Sequence, residues 1–317
     1  MSTTALKALS DEIDSLEATS QVVHAFELLA MVHLPELRRQ VDAVRAYTDA
    51  VLHSIAEIAE HGELRYSVEA EGQGRRDLVV LITSSMGMCG SYNQDVFAAL
   101  EKRRQAERAE QAERAGGVEG AEGAAGAVDE ADYLVIGSRG LRYLAERHQA
   151  VLGSYDLALE RVDVVTVAGL AAAAVDRVRS GLNRRVLVAY THYEDVVTFA
   201  ARVVQLYPLH LPPPRPTDVH APVVDFELEP AEVLAQFVDT YAIGQLFAWV
   251  RHAVASEYGM RRMTTNLSKR ALRDSLTERR RHYRKVRMAA ESAELLDVLS
   301  SQQAVRGRRT TRGARDD

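Results

Sequence analysis

Cysteine is nearly absent. Cys89 is the only one in 317 residues, so no intrachain disulfide can form and a reducing compartment is the natural setting. Also missing is any run of about 18 uninterrupted apolar residues, so no membrane span is expected and membrane association would come through a partner. The opening MSTTALKALSDEIDSLEA has neither the basic start nor the apolar core of a secretory signal. An excess of positive charge is lacking too. The net charge of -6 gives no global reason to expect nucleic-acid binding. What is there, 47% apolar and 26% charged, is the composition of a globular chain with one or two domains and a sizeable core.

The charge is unevenly placed. Residues 1–64 hold four Lys/Arg against eleven Asp/Glu, whereas residues 261–287 hold eleven Lys/Arg against two acids. Opposite charge at opposite chain ends implies that the ends meet, or that each meets a partner. Residues 3–62 read as one helix, with Leu6, Leu9, Ile13, Leu16, Val23, Phe26, Leu37, Val41, Val44, Val51 and Ile55 at helical spacing. Glycine is missing before Gly62, which suits a stop signal. Pro35 interrupts this stretch, and a kink or break is expected near residues 31–35. From Pro230 to about Ser301 the pattern is helical again. Leu272, Leu276, Arg279, Tyr283, Val286, Ala290 and Ala293 recur at the coiled-coil period. Each terminal helix, if unbroken, would reach on the order of 90–100 Å and needs a partner for its seam. The other terminal helix, antiparallel, is the cheapest one.

Between them the pattern changes. Strands are expected at 77–84, 132–138 and 184–191, with weaker ones at 150–155, 163–167 and 196–206. Helical segments fall at 93–113, 139–148 and 168–181, which argues for a mainly parallel sheet covered by helices. The segment RAGGVEGAEGAAGAVDEAD (residues 114–132) reads as a flexible surface insertion, and YPLHLPPPRPTDVHAPVV as a proline-rich connector. The fold class is therefore α/β: a long antiparallel coiled coil of the N- and C-terminal helices plus a central Rossmann-like domain. The divisions are 1–64 (first coiled-coil helix), 65–228 (α/β domain), 229–301 (second coiled-coil helix) and 302–317 (disordered tail).

Met86-Gly87-Met88-Cys89-Gly90-Ser91 follows a strand and precedes a helix. A nucleophile elbow would make Cys89 the nucleophile, but its base among His24, His192 or His220 could only be guessed. A phosphate cradle would need the GxGxxG spacing or a Walker lysine, and both are missing. A tight structural turn with Cys89 as a small buried hydrophobe is the preferred reading. The basic stretch Arg261–Arg287 could bind phosphates, yet Tyr283 is its single aromatic, which is poor support for base stacking. The ten histidines are scattered, with no ligand spacing for a metal. The alternative function left by these features is a Rossmann-like small-ligand-binding or nucleic-acid-binding protein with helical arms.

Four segments resemble one family. Ala255–Ser300 resembles the terminal helix of F-type ATP synthase gamma subunits through Ser256-Glu257, Arg261–Met263, Tyr283, Lys285, Arg287, Ala289-Ala290, Glu294-Leu295 and Val298. TSSMGMCGSYN (Thr83–Asn93) is similar to that family's strand-to-helix turn, Thr-Ser-Asp-Arg-Gly-Leu-Cys-Gly-Gly-Leu-Asn. YLVIGSRG (Tyr133–Gly140) is similar to its Ile-Gly-Ser-Lys-Gly strand end, and HAFELLA (His24–Ala30) to its Lys-Ala-Met-Glu-Met-Val-Ala segment. Order and spacing agree over nearly the whole chain, which is identified as a divergent member. It departs in an acidic first helix, in Pro35, in Ser85-Met86 where the family has Asp-Arg, and at Arg270, Ala271 and Leu272.

The resemblance implies a central rotor stalk that couples H⁺ or Na⁺ flow to ATP synthesis or hydrolysis, with no catalytic site on this chain. It implies as partners an alpha/beta catalytic hexamer, an epsilon subunit and a membrane c-ring. ATP, ADP and Mg²⁺ would bind those partner subunits, and the chain would lie peripherally on the cytoplasmic face of the cell membrane. Implied subunit contacts are Phe26, Glu27, Arg261, Arg262, Met263, Lys269, Arg270 and Arg273. Gly87, Cys89, Gly90 and Asn93 form the structural turn.

Overall fold

The computed structural model of the chain describes residues 2–58, 70–114, 131–209 and 229–313. The glycine-free N-terminus forms one helix, α1 (Ser2–Ile58), with Pro35 inside it. The break expected near residues 31–35 does not occur. Ala30, Leu34, Leu37 and Val41 flank the proline and are buried in the core. Burying Leu34, Leu37 and Val41, at about 1.5–3 kcal/mol each, outweighs the roughly 3 kcal/mol that an internal proline costs. Gly62 lies outside the described residues.

Five strands follow: β1 (Arg76–Ile82), β2 (Asp132–Ile136), β3 (Val151–Tyr155), β4 (Asn183–Tyr193) and β5 (Phe199–Tyr207). Their order is β3-β2-β1-β4-β5. The first four run parallel, and β5 is antiparallel to β4. The helices are α2 (Tyr92–Arg114), α3 (Ser138–Glu146), α4 (Val164–Arg179) and α5 (Pro230–Gly313). The weak strand expected at 163–167 is instead the start of α4. Asp163 accepts the Thr166 amide at 2.8 Å, and this N-cap overrides the β preference of two valines. The tail from residue 302, expected to be disordered, is helical as far as Gly313, because an established helix gains one hydrogen bond per added residue. The insertion at 114–132 and the proline connector fall largely outside the described residues.

Strand alternation sorts the core. Val79, Leu81, Tyr133, Val135, Leu187 and Ala189 pack with Val96 and Leu100 of α2 and Tyr143 and Leu144 of α3. The alternate residues Leu78, Val80, Ile82, Leu134, Ile136, Val186 and Val188 share a second cluster with α4, α1 and α5. One stretch of α5 is long and apolar enough, by length and composition alone, to cross a membrane. Leu234, Val238, Ala242, Leu246 and Val250 of that helix are buried in this second cluster. At the N-terminal edge of β1, Asp77 accepts from Arg184 at 2.9 Å and Arg185 at 2.8 Å, and Arg185 also reaches Glu107 at 2.7 Å. Burial raises the Asp77 pKa, but the two guanidinium groups outweigh it and hold the carboxyl below its usual range.

The chain divides into two compact units, one combining residues 1–28 with 265–317 and the other spanning 29–264. The smaller unit is an antiparallel helix pair. Leu6, Leu9, Ile13 and Leu16 of α1 and Leu272, Leu276, Tyr283, Val286 and Ala290 of α5 are its half-buried seam positions, whereas Arg279 and Ala293, which the heptad spacing also puts on the seam, are exposed. Across the seam Glu12 meets Arg279 at 3.1 Å, Glu17 meets Arg280 at 2.7 Å and Glu27 meets Lys269 at 2.6 Å. The two exposed pairs, Glu12–Arg279 and Glu17–Arg280, contribute under about 1 kcal/mol each, and Glu27–Lys269 is partly buried. Reversing Glu12 and Glu17 together to lysine should therefore lower stability by about 1–2 kcal/mol at low salt and by much less near ~1 M salt, read from urea denaturation midpoints.

Candidate functional site

The turn after β1 sits where the strand order reverses, between the paths to β2 and β4. Doubly wound sheets receive ligands in the crevice outside their strand ends at such a point. Here the base of the crevice is tied together by its own hydrogen bonds. The Ser84 amide donates to Asn93 Oδ1 at 3.0 Å, and Asn93 Nδ2 donates to Ser84 Oγ at 2.9 Å. The amides that open α3 are also engaged. Ser138 donates to Ser85 Oγ at 3.1 Å, Arg139 to the Ser84 carbonyl at 3.3 Å and Gly140 to Thr83 Oγ1 at 2.9 Å. The Ser84 amide and the first amides of α3 are thus spent on the turn itself.

Cys89 is buried, and its thiol faces Ser84 Oγ at 3.4 Å, Asn93 Nδ2 at 3.6 Å and the Met86 carbonyl at 3.8 Å. None of these is a base, so the nucleophile reading has no geometry behind it. Met88 and Gly90 both take positive φ, 60° and 59°. A Cβ on Gly90 would stand 2.7 Å from Thr264 Oγ1, so glycine serves both the backbone and the close approach of α5. On the outer side of the turn an open cleft of about 460 Å³ lies beside Gly87, Phe97, Arg139, Arg142 and Tyr143.

Helix α5 seals the inner side. Ser256 Oγ donates to the Thr191 carbonyl at 3.1 Å, and Tyr92 Oη donates to the Ala253 carbonyl at 3.3 Å. Arg261 is 2% exposed; its Nη2 meets Glu257 Oε1 at 2.5 Å and its Nε donates to the Gly87 carbonyl at 3.3 Å. Burial raises the Glu257 pKa, and Arg261 partly offsets that. Tyr258, one residue on, donates to Glu160. The sequence alone puts Arg261 among surface contacts, whereas the structure places it inside the larger unit as a tie between α5 and the turn. Its partner Glu257 is not among the residues expected from sequence, although an acid four residues before an arginine on a helix is a readable signal.

The remaining expected contacts are divided between the units. Arg262 is half-buried and Met263 is 43% exposed in the larger unit. In the helix pair, Phe26 is half-buried, Glu27 holds Lys269, and Arg270 and Arg273 are exposed. The hydrogen bond from Lys269 is the main reason the Glu27 carboxyl titrates below its ordinary value. Of the basic stretch, Arg261, Lys269, Arg279, Arg280 and Arg287 are engaged by acids of this chain, which takes phosphate-binding capacity away from it. Among the described residues no group of three or more His, Cys, Asp or Glu could hold a metal ion.

Comparison with known proteins agrees with this geometry. The family model described as ATP synthase matches residues 5–305. The ATP synthase gamma chain of Flavobacterium johnsoniae is 24% identical, over 95% of this chain and 99% of that one. The sodium-ion-specific ATP synthase gamma chain of Acetobacterium woodii is 23% identical, over 92% and 96%. Among solved structures, a chain of the Euglena gracilis mitochondrial ATP synthase (OSCP/F1/c-ring, rotational state 3) superposes with a TM-score of 0.62 at 14% identity, over 96% and 95%. That likeness shows a shared fold.

Proposed function

The chain belongs to the ATP synthase gamma-chain family, and we propose that it is the central stalk of an F-type, ion-translocating ATP synthase. In this role it couples rotation driven by H⁺ or Na⁺ flow to ATP synthesis or hydrolysis. The observation that carries the reading is the antiparallel pairing of the start of α1 with the end of α5. The seam and the Glu12–Arg279, Glu17–Arg280 and Glu27–Lys269 pairs hold two single helices together as one mechanical element. We assign the catalytic nucleotides and Mg²⁺ to an alpha/beta hexamer, and further contacts to an epsilon subunit and a membrane c-ring. The chain then lies on the cytoplasmic face of the membrane, held there by those partners. We infer that the stalk has no catalytic site of its own, a reading supported by Cys89, whose thiol faces Ser84, Asn93 and the Met86 carbonyl and no base.

An affinity tag on the full chain tests this. It should bring down a nucleotide-binding hexamer that hydrolyses ATP, while the chain alone shows no hydrolysis and no heat on titration with ATP. Removing residues 288–317 should weaken assembly or coupling. An ATPase activity of the isolated chain, or its recovery as a lone active enzyme, would overturn the reading.

A further inference from the structure

Two histidines meet inside the larger unit, His192 from β4 and His252 from α5. Their rings stack with centroids 4.1 Å apart and planes 19° from parallel. His252 is 6% exposed, its Nδ1 has no hydrogen-bond partner, and its ring is otherwise tied to the backbone of Tyr193. His192 Nδ1 lies 3.1 Å from Tyr190 Oη, and Tyr190 stacks on Trp249 of α5 at 5.5 Å. The seam between β4 and α5 is therefore ring against ring over this stretch. The charged groups facing the pair are Arg45 from α1, Arg202 from β5 and Glu194 just beyond β4. Glu194 is already engaged by Arg202 at 2.6 Å, and Arg45 approaches Asp49 at 4.0 Å. After burial, the groups acting on His252 are in order the His192 imidazole, the Tyr193 backbone, which favours the cation, and the Arg45 and Arg202 guanidinium groups, which oppose it.

We propose that the stacked His192–His252 pair is an acid-sensitive latch, holding α5 against β4 at neutral pH and releasing it on acidification. Neutral imidazoles stack without electrostatic cost. A proton on either ring places a cation 4.1 Å from the other ring, beside Arg45 and Arg202, at a site closed to water on the His252 side. Burial first, and then His192, push the His252 imidazole down to about 4; burial first, and then Arg202, lower His192 as well. Both latched values lie below the ordinary 6.5, so the separated state binds protons that the latched state does not. The latch is at full strength above pH 6.5 and weakens as pH falls from there toward about 4. The upper part of that window lies above the range in which ordinary carboxylates titrate, so the effect is separable from general acid unfolding.

Hydrogen exchange on the full chain, corrected for intrinsic rate, reads the latch at about pH 7 and about pH 5. Peptides covering residues 187–194 and 249–256 should lose about tenfold or more of their protection at the lower pH, while those covering β2 change little. In His252→Gln, which keeps a donor for the Tyr193 backbone but cannot titrate, and in His192→Phe, which keeps a stacked ring, the drop should shrink, because one imidazole and the repulsion between the two are gone. Equal protection at both pH values in the native chain, or an undiminished drop in both variants, would overturn the proposal. Should either variant not fold, imidazole titration of the native chain by NMR decides. The latch stands if His192 or His252 titrates below 6.5 and the amide signals of 187–194 and 249–256 shift or broaden over the same pH range, and falls if those amide signals do not change as the imidazoles titrate.

Discussion

Gly137→Ala should destabilise the full chain by about 3–5 kcal/mol, a large fraction of the stability of any domain. Gly137 ends β2 and caps α3 with φ 96° and ψ 139°, a conformation that residues with a side chain adopt only at a cost of roughly 1–3 kcal/mol. Space is refused as well. A Cβ there would lie 2.0 Å from the Thr83 carbonyl oxygen, and the obstacle is backbone in the centre of the sheet rather than a side chain that can swing away. Thr83 cannot retreat easily, because its amide donates to the Ile136 carbonyl at 2.8 Å and its Oγ1 receives the Gly140 amide at 2.9 Å. Moving it would disturb the β1–β2 pairing and the turn at once. Gly169→Ala supplies the contrast. Gly169 is inside α4, and a methyl group there would meet nothing within 4 Å, so alanine should stabilise by about 0.5–1 kcal/mol. Urea denaturation of both variants beside the native chain gives the two signs. A loss below about 1 kcal/mol for Gly137→Ala would mean that the strand ends can part to admit a methyl group.

That glycine also shows how much a sequence discloses. Ile136-Gly137-Ser138 marks a strand end by pattern, but its φ and its distance from Thr83 exist only once β1 and β2 are paired. The long helices, β1, β2, β4 and the seam of the helix pair are legible because each rests on local periodicity that burial then reinforces. Pro35 and Val164-Val165 mislead for the complementary reason. Local propensity argues against helix at both, and buried neighbours in one case and the Asp163 cap in the other outweigh it. The charge imbalance between chain ends points to the region where Glu12 and Glu17 meet Arg279 and Arg280, but not to the Glu27–Lys269 pair, whose two residues read from the sequence as subunit contacts. It says nothing of Arg261, whose burial depends on α5 crossing the turn at residues 83–93. A cation in a basic run reads as surface until the fold places a carboxylate beside it and takes the water away.

Arg261→Met should cost about 3–5 kcal/mol at neutral pH, because it removes one partner of a buried ion pair and leaves Glu257 charged at 4% exposure. The loss also cuts the bond to the Gly87 carbonyl that ties α5 to the turn. The pH dependence identifies the cause. Glu257 already titrates above its ordinary value through burial, with Arg261 restraining the rise; without Arg261 it must rise further. A carboxyl whose folded value lies above its unfolded one binds more protons when folded, so the variant's stability falls as pH rises through and beyond the ordinary value of 4.5. Its deficit relative to the native chain should therefore be largest near neutrality and shrink toward pH 4.5. The double variant Glu257→Gln with Arg261→Met removes both charges at similar volume. It should recover most of the lost stability, an interaction energy of about 2–3 kcal/mol in a double-mutant cycle. Additive single losses in that cycle would reduce Arg261 to a packing residue. Strong non-additivity with the acid-side recovery makes it the electrostatic tie between α5 and the turn.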